Sequence, residues 1–236
     1  MKVEIWSDVV CPWCYIGKRR FEAALERFAH SDDVEVVWHS FELDPTTERT
    51  GTPGGSTERL AEKYGISLDE VRKMQQRVTD AAAGEGLDFQ LDRAVPANTV
   101  DAHRVIHLAA RHGLQGAMKE RLLRAHFTEG ESVGEADTLV RLAVEVGLDG
   151  DDVRSVLAGD ELVDDVRRDE AEARALGITG VPFFVIDRTY GVSGAQPSEL
   201  LLEALQTAWS ESHPLAMVQA GTAGDADACG PDGCAI

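Results

Sequence analysis

Long apolar runs are missing from this 236-residue sequence, and none approaches the ~18 residues that a bilayer-spanning helix needs. Membrane-spanning roles are excluded on that ground. An export signal is not expected either, because Glu4 and Asp8 interrupt what would have to be its hydrophobic region, so the chain is expected to be soluble and cytoplasmic. Basic residues are scarce: 23 Lys and Arg face 42 Asp and Glu, and a net charge of -19 makes nucleic-acid phosphate and anionic lipid poor partners. Cysteine is scarce too. Four are too few to staple a chain of this length, and they fall as two close pairs, Cys11 with Cys14 and Cys229 with Cys234. In an unexported protein such pairs read as redox chemistry or metal binding before structure.

What is present is a chain able to bury a real core, with 43% hydrophobic residues, in one domain with an insertion or in two small ones. Val3-Glu4-Ile5-Trp6-Ser7 alternates as a strand, and after Cys11-Pro12-Trp13-Cys14 the residues Phe21, Ala24, Leu25 and Phe28 recur at helical spacing. A second strand over 34–41 completes β-α-β by residue 43. Residues 51–55 are loose, and 56–176 reads as about six helices. Ser67 and Glu70 form a capping box ahead of a stripe of Leu68, Val71, Met74 and Val78. Further helices are expected after Asn98 and Thr99, and before stops at Gly113, Gly147 and Gly177. The apolar run 181–186 predicts a buried strand, with a hairpin partner over 190–193 across Asp187 and Arg188. Pro197 then opens a last helix that turns Leu200, Leu201, Ala204, Leu205 and Trp209 inward.

A cysteine at a helix N-terminus sits where unpaired backbone N–H groups favour thiolate over thiol, and Cys11 is that residue. Cys14, one turn further in, can close a disulfide with it or resolve a mixed disulfide formed there. Pro12 occupies the first turn, where its missing N–H is harmless. Trp13 brings bulk and an indole donor but no charge, which predicts a milder oxidant than a histidine there would give. Two idle core cysteines are the competing reading. It fits less well, because strand, CxxC and helix follow one another in that order.

The motifs taken together resemble a known family. Cys11-Pro12-Trp13-Cys14, the runs 38–45 (Trp-His-Ser-Phe-Glu-Leu-Asp-Pro) and 98–104 (Asn-Thr-Val-Asp-Ala-His-Arg), 177–184 and 191–197 (Gly-Val-Ser-Gly-Ala-Gln-Pro) are similar to the FrnE-like branch of the DsbA family, within the thioredoxin superfamily. The resemblance implies an α/β protein, a thioredoxin fold with a large inserted all-helical domain. It divides the chain into a first thioredoxin-like part at 1–50, a helical insertion at 51–177 and a second thioredoxin-like part at 178–210; after Ser210 the composition turns to Gly, Ala, Asp and Pro with little to bury, which predicts a flexible tail at 211–236. The resemblance further implies a thiol-disulfide oxidoreductase with Cys11 as nucleophile and Cys14 as resolving thiol, acting on protein or peptide thiols through its own redox-active disulfide. No other cofactor is expected, with glutathione a conceivable co-substrate. Pro182 would be the cis-proline, and Val181 before it would pair with an extended substrate strand. Pro12, Trp13, Val181 and Pro182 are thus the expected substrate-binding residues.

Several residues admit two readings. Cys229 and Cys234, amid Gly and Pro, are either an auxiliary pair that exchanges with Cys11 and Cys14 or an idle exposed pair; four sulfurs in one zinc site is chemically allowed but disfavoured by the long helix after Cys14. His103 and His107 lie four apart without an HExxH pattern, so packed or solvated helix positions are expected and no metal site is assigned. Glu42, Asp44 and His39 follow the second strand; Glu42 could move a proton at Cys14, against a default of a loop charge. Trp6, Trp13 and Tyr15 could line an apolar groove, although core packing explains Trp6 equally well. The acidic stretch 160–172 reads as a solvated helix face. Three other functions compete: a glutathione-dependent isomerase or kappa-class transferase of the 2-hydroxychromene-2-carboxylate isomerase type, which as a family tends to present serine where Cys11 stands; a role in polyketide biosynthesis; and a non-enzymatic zinc-binding module.

Overall fold

The computed structural model describes residues 1–49, 51 and 56–214, so Cys229 and Cys234 lie outside the described residues. β1 (Lys2–Ser7) is almost wholly buried, and it pairs in parallel with β2 (Glu35–Ser40), Ile5 opposite Trp38. Parallel neighbours need a crossover, and α1 (Pro12–Glu26) supplies it. On the other side of β1, β3 (Phe183–Ile186) runs antiparallel and forms a hairpin with β4 (Tyr190–Ser193), giving the order β2-β1-β3-β4. Asp187 and Arg188 turn that hairpin with φ of 46° and 56°, the positive values that a type I′ turn requires at both central residues. α9 (Ser198–Ser212) lays Leu201 and Leu205 with Phe21 of α1 against Val3, Ile5 and Phe184. Leu200 is exposed there, a turn away from the inward face expected for it.

Between β2 and β3 the chain forms α2 (Ser56–Tyr64), α3 (Leu68–Gly84), α4 (Val100–Arg111), α5 (Gln115–Arg124), α6 (Ala136–Val146), α7 (Gly150–Ala158) and α8 (Val163–Ala175). Over 56–176, all of it described, these are seven helices where periodicity predicts about six, the shortest being α2 and α7 at nine residues each. The capping box of α3 forms, with Ser67 Oγ accepting from the Glu70 amide at 3.3 Å and the Glu70 carboxylate accepting from the Ser67 amide at 2.9 Å. Val71 and Val78 are buried below it, but Leu68 in the first turn is exposed. α5 runs directly into a π-helical turn, Ala125–Glu129.

The helical insertion shares its cores with α1 and the loop that precedes it. Val9, just before Cys11, sits among Val105, Met118, Leu122, Leu139 and Leu142, while Tyr15 and Ile16 of α1 pack with Val78, Leu123 and Phe127. The start of α1 therefore lies in the seam between sheet and insertion.

A second seam contact corrects the reading of 160–172. Asp169 of α8 is buried: its carboxylate accepts from the Ser40 amide at 2.7 Å, meets His39 Nδ1 at 2.7 Å and lies 3.1 Å from His107 Nε2. Asp160, Glu161, Asp164 and Arg168 in that stretch are exposed, while Asp165, Glu170 and Glu172 are half-buried.

Candidate functional site

Cys11 caps α1 with extended backbone (φ -91°, ψ 113°) and no side-chain cap bond, and Pro12 takes the first helical position. Proline fits there because the N–H it lacks has no partner within the helix. Cys14 follows one turn later, its amide donating to the Cys11 carbonyl at 3.0 Å. Both thiols are free, with Cys11 4% and Cys14 1% exposed. The second half of the site comes from the far end of the chain. The Cys11 thiol donates to the Val181 carbonyl at 3.6 Å, and the Val181-Pro182 peptide is cis. α1 comes so close to this loop that a Cβ on Gly17 would lie 2.9 Å from Pro182 Cγ. The structure thus brings Cys11, Cys14, Val181 and Pro182 together.

Cys11 is not sealed. With Val10, Pro12, Trp13 and Val181 it forms one wall of a cleft of about 410 Å³, opposed by the insertion through Val78, Phe127 and residues of α2. Trp13 is 41% exposed at its edge. Of the three aromatics considered for a groove, it alone lines one. Trp6 is core, its indole donating to the Asp169 carbonyl at 3.0 Å, and Tyr15 is buried against Phe89 and Phe127 with its hydroxyl donating to Glu120 at 2.7 Å.

Burial pushes the Cys14 thiol well up, and its hydrogen bond with Cys11 and the charge of Cys11 add to the rise; the Lys119 ammonium and the Asp8 backbone N–H oppose it. Lys119 is a buried cation delivered by α5, with Nζ donating to the Ser7 carbonyl at 3.3 Å and lying 5.9 Å from the Trp38 ring. Burial lowers it to about 8, while Cys14, Asp8 and Cys11 hold it up. Asp8, also buried, accepts from the Leu43 amide at 2.8 Å and meets His103 Nε2 at 3.3 Å. Burial would raise the Asp8 carboxyl, but the bond to His103 and its charge, the Leu43 amide and the Lys119 charge together bring it below its ordinary value. Burial lowers His103 in turn, against the bond to Asp8, which raises it.

Glu42 is buried rather than a loop charge. Its Oε2 binds Arg167, its Oε1 has no partner, and burial raises its carboxyl, with Glu170 and Asp8 contributing. The charged side chain acting on Cys14 is instead Lys119, which sequence reasoning passed over: among so many surface charges nothing marks one lysine on an amphipathic helix as buried. Asp44 stands at the cleft mouth, paired with Arg59 at 2.9 Å. His103 and His107 are packed and bind different carboxylates. His39, Asp169 and Glu172 place ligand atoms within 4.8 Å of one another. Each already has partners: His39 lies between Asp169 and Glu4, and Arg188 binds both Glu4 and Glu172.

Comparison with known proteins gives a consistent result. Residues 2–206 match the DSBA-like thioredoxin domain. The crystal structure of a probable DsbA oxidoreductase from Streptomyces coelicolor is similar over 100% of this chain and 99% of its own, with 47% identity and a TM-score of 0.86. An uncharacterized Bacillus subtilis protein, YwbO, is 29% identical over 86% of this chain and 94% of its own. The cytosolic disulfide reductase DsbM from Pseudomonas aeruginosa, solved with GSH, shares the fold with a TM-score of 0.63 and 21% identity, over 89% of this chain and 99% of its own.

Proposed function

The chain belongs to the DsbA-like thioredoxin family and is an oxidoreductase of that type, and we propose that Cys11 and Cys14 exchange disulfides with protein or peptide thiols. The observation that carries this reading is the position of Cys11 at the N-terminus of α1, 3.6 Å from the Val181 carbonyl and open to the cleft.

In the oxidising direction a substrate thiolate attacks Cys11 of the Cys11–Cys14 disulfide. A substrate–Cys11 bond forms and Cys14 leaves as thiolate. A second substrate thiolate then attacks the substrate sulfur bonded to Cys11, forming the substrate disulfide and releasing Cys11 as thiolate. The substrate loses two electrons, the cysteine pair gains them, and the net direction follows the two reduction potentials. Lys119 is the cation beside the departing Cys14 thiolate, whose burial favours its taking a proton. Val181, next to Pro182, serves an extended substrate segment as an added strand edge, with Pro12 and Trp13 beside it. Cys229 and Cys234, outside the described residues, act as an auxiliary pair that exchanges with this centre.

A glutathione redox titration combined with insulin reduction tests both statements. Cys11→Ser is expected to abolish turnover and the two-electron titration, while Cys229→Ser with Cys234→Ser is expected to shift the titration of the full chain. Turnover independent of Cys11 would overturn the central reading; an unmoved titration would remove the auxiliary pair alone.

A further inference from the structure

Four buried side-chain polar atoms among the described residues have no hydrogen-bond partner, and of their owners only His126 lines the cleft that opens on Cys11. An unsatisfied buried polar group is disfavoured and calls for a reason. His126 is 5% exposed, its Nδ1 is the unpartnered atom, and its ring stands edge-on to Phe127 at 4.6 Å. It is set there by the π-helical turn that interrupts regular helix after α5, a distortion frequent at functional sites. Burial takes its ring down to about 4, so the imidazole is neutral at physiological pH and offers one donor and one acceptor.

The mouth of the same cleft carries an uncommon charge for this molecule. Arg59 and Lys63 of α2 share one carboxylate, Asp44, at 2.9 and 3.7 Å, and among the described residues that line the cleft Asp44 is the only acid. Two cations against one anion leave a local surplus of positive charge in a chain of net charge -19. Between mouth and floor the walls are largely apolar, with Val78 and Phe127 among them.

We infer that this cleft is a subsite for a small anionic thiol or disulfide with an apolar body: its anionic group at Arg59 and Lys63, a polar group hydrogen-bonded to His126, and its sulfur at Cys11. The inference rests on the redox reading of Cys11 and adds a low-molecular-mass co-substrate to the protein or peptide thiols. In the exchange, the Cys11 thiolate attacks one sulfur of the small disulfide and releases one thiolate, leaving a mixed disulfide. Cys14 then attacks Cys11 and releases the second. The cysteine pair loses two electrons and its protons, and the small disulfide becomes two thiols.

Stopped-flow oxidation of the reduced full chain at about 0.15 M salt, where charges more than ~8 Å apart are screened, tests this with three disulfides. They are 5,5′-dithiobis(2-nitrobenzoate), anionic and aromatic; 4,4′-dithiodipyridine, neutral and aromatic; and cystamine, cationic. Rates are referred to those of N-acetylcysteine methyl ester with the same probes. The anionic probe is expected to saturate and to be favoured over cystamine. His126→Leu should weaken its half-saturation about fivefold, the equivalent of one hydrogen bond, and His126→Asn, which keeps a polar nitrogen near Nδ1, should restore part of it. Arg59→Gln with Lys63→Gln, the first half-buried and the second exposed, should lose about threefold for the anionic probe alone, in protein whose urea unfolding matches wild type. Equal referred rates for all three probes, or an anionic probe indifferent to both sets of variants, overturns the subsite. Reaction persisting in Cys11→Ser would instead overturn the redox reading on which it stands.

Discussion

In the proposed exchange, Lys119 is the cation that bears on the buried Cys14 thiol. Opening the Cys11–Cys14 disulfide requires Cys14 to depart as a thiolate into a buried site, and Lys119 is the cation acting on it there. Removing that charge while keeping the chain length, as in Lys119→Met, should slow opening by dithiothreitol about tenfold, the effect of some 1.4 kcal/mol on the barrier. Lys119→Arg retains the charge and should recover part of the rate. Because burial lowers Lys119 to about 8, its ammonium is present below that pH and lost above it. The advantage of wild type over Lys119→Met, measured by stopped flow across pH 6 to 10, should therefore shrink as pH rises through about 8. A gap that stays constant with pH would remove Lys119 from the step. At this scale the sequence was partly legible. Cys11, Cys14 and Pro182 announce themselves because rare residue types recur in a telling order. Lys119, Asp8 and His126 do not, since each owes its environment to burial by segments far away in the chain, and a charged side chain carries no local mark of being buried.

At the scale of elements, α1 and the Val181-Pro182 loop meet so tightly that the helix must present a glycine. An added methyl at Gly17 would sit 2.9 Å from the Pro182 ring and 3.4 Å from Ala195 Cβ, and a ring cannot swing aside as a flexible side chain would. Gly17→Ala should destabilise the protein by about 1–3 kcal/mol in urea unfolding and slow the reaction of Cys11 with a neutral disulfide, because the loop must retreat from α1. Gly84, at the end of α3 with nothing within 4 Å of an added Cβ, is the control; its Ala variant should be neutral or more stable by up to about 1 kcal/mol. Element order was readable because strand alternation, the Ser67 capping box and helix-ending glycines are local signals. The nine-residue helices were not, and neither was the outward turn of Leu68 and Leu200, since which face of an apolar helix is covered depends on what arrives to cover it.

For the whole molecule, the site exists only while sheet and insertion stay docked, and the Asp169 network is one of the ties that docks them. It joins β2 through His39 and Ser40 to α4 through His107 and to α8 through Asp169 itself, and Glu4 of β1 reaches His39 from the other side. Burial alone would raise the Asp169 carboxyl, but bonds from His107, His39 and the Ser40 amide hold it far below the usual carboxylate range. A folded-state value below the unfolded one means that this stability is fully present above about pH 4 and is lost as acid carries the carboxyl toward protonation. Asp169→Asn should therefore lower unfolding free energy at pH 7 by about 3 kcal/mol, the scale of breaking a buried charge contact from one side. Below pH 4 the gap between the variant and wild type should narrow, because wild type gives up the same interaction there. Urea melts at pH 7 and pH 3 would check this. A gap of equal size at both would mean that the carboxylate's charge does not hold sheet and insertion together, and that the seam around Cys11 depends on the shared apolar cores of Val9, Tyr15 and Ile16 instead.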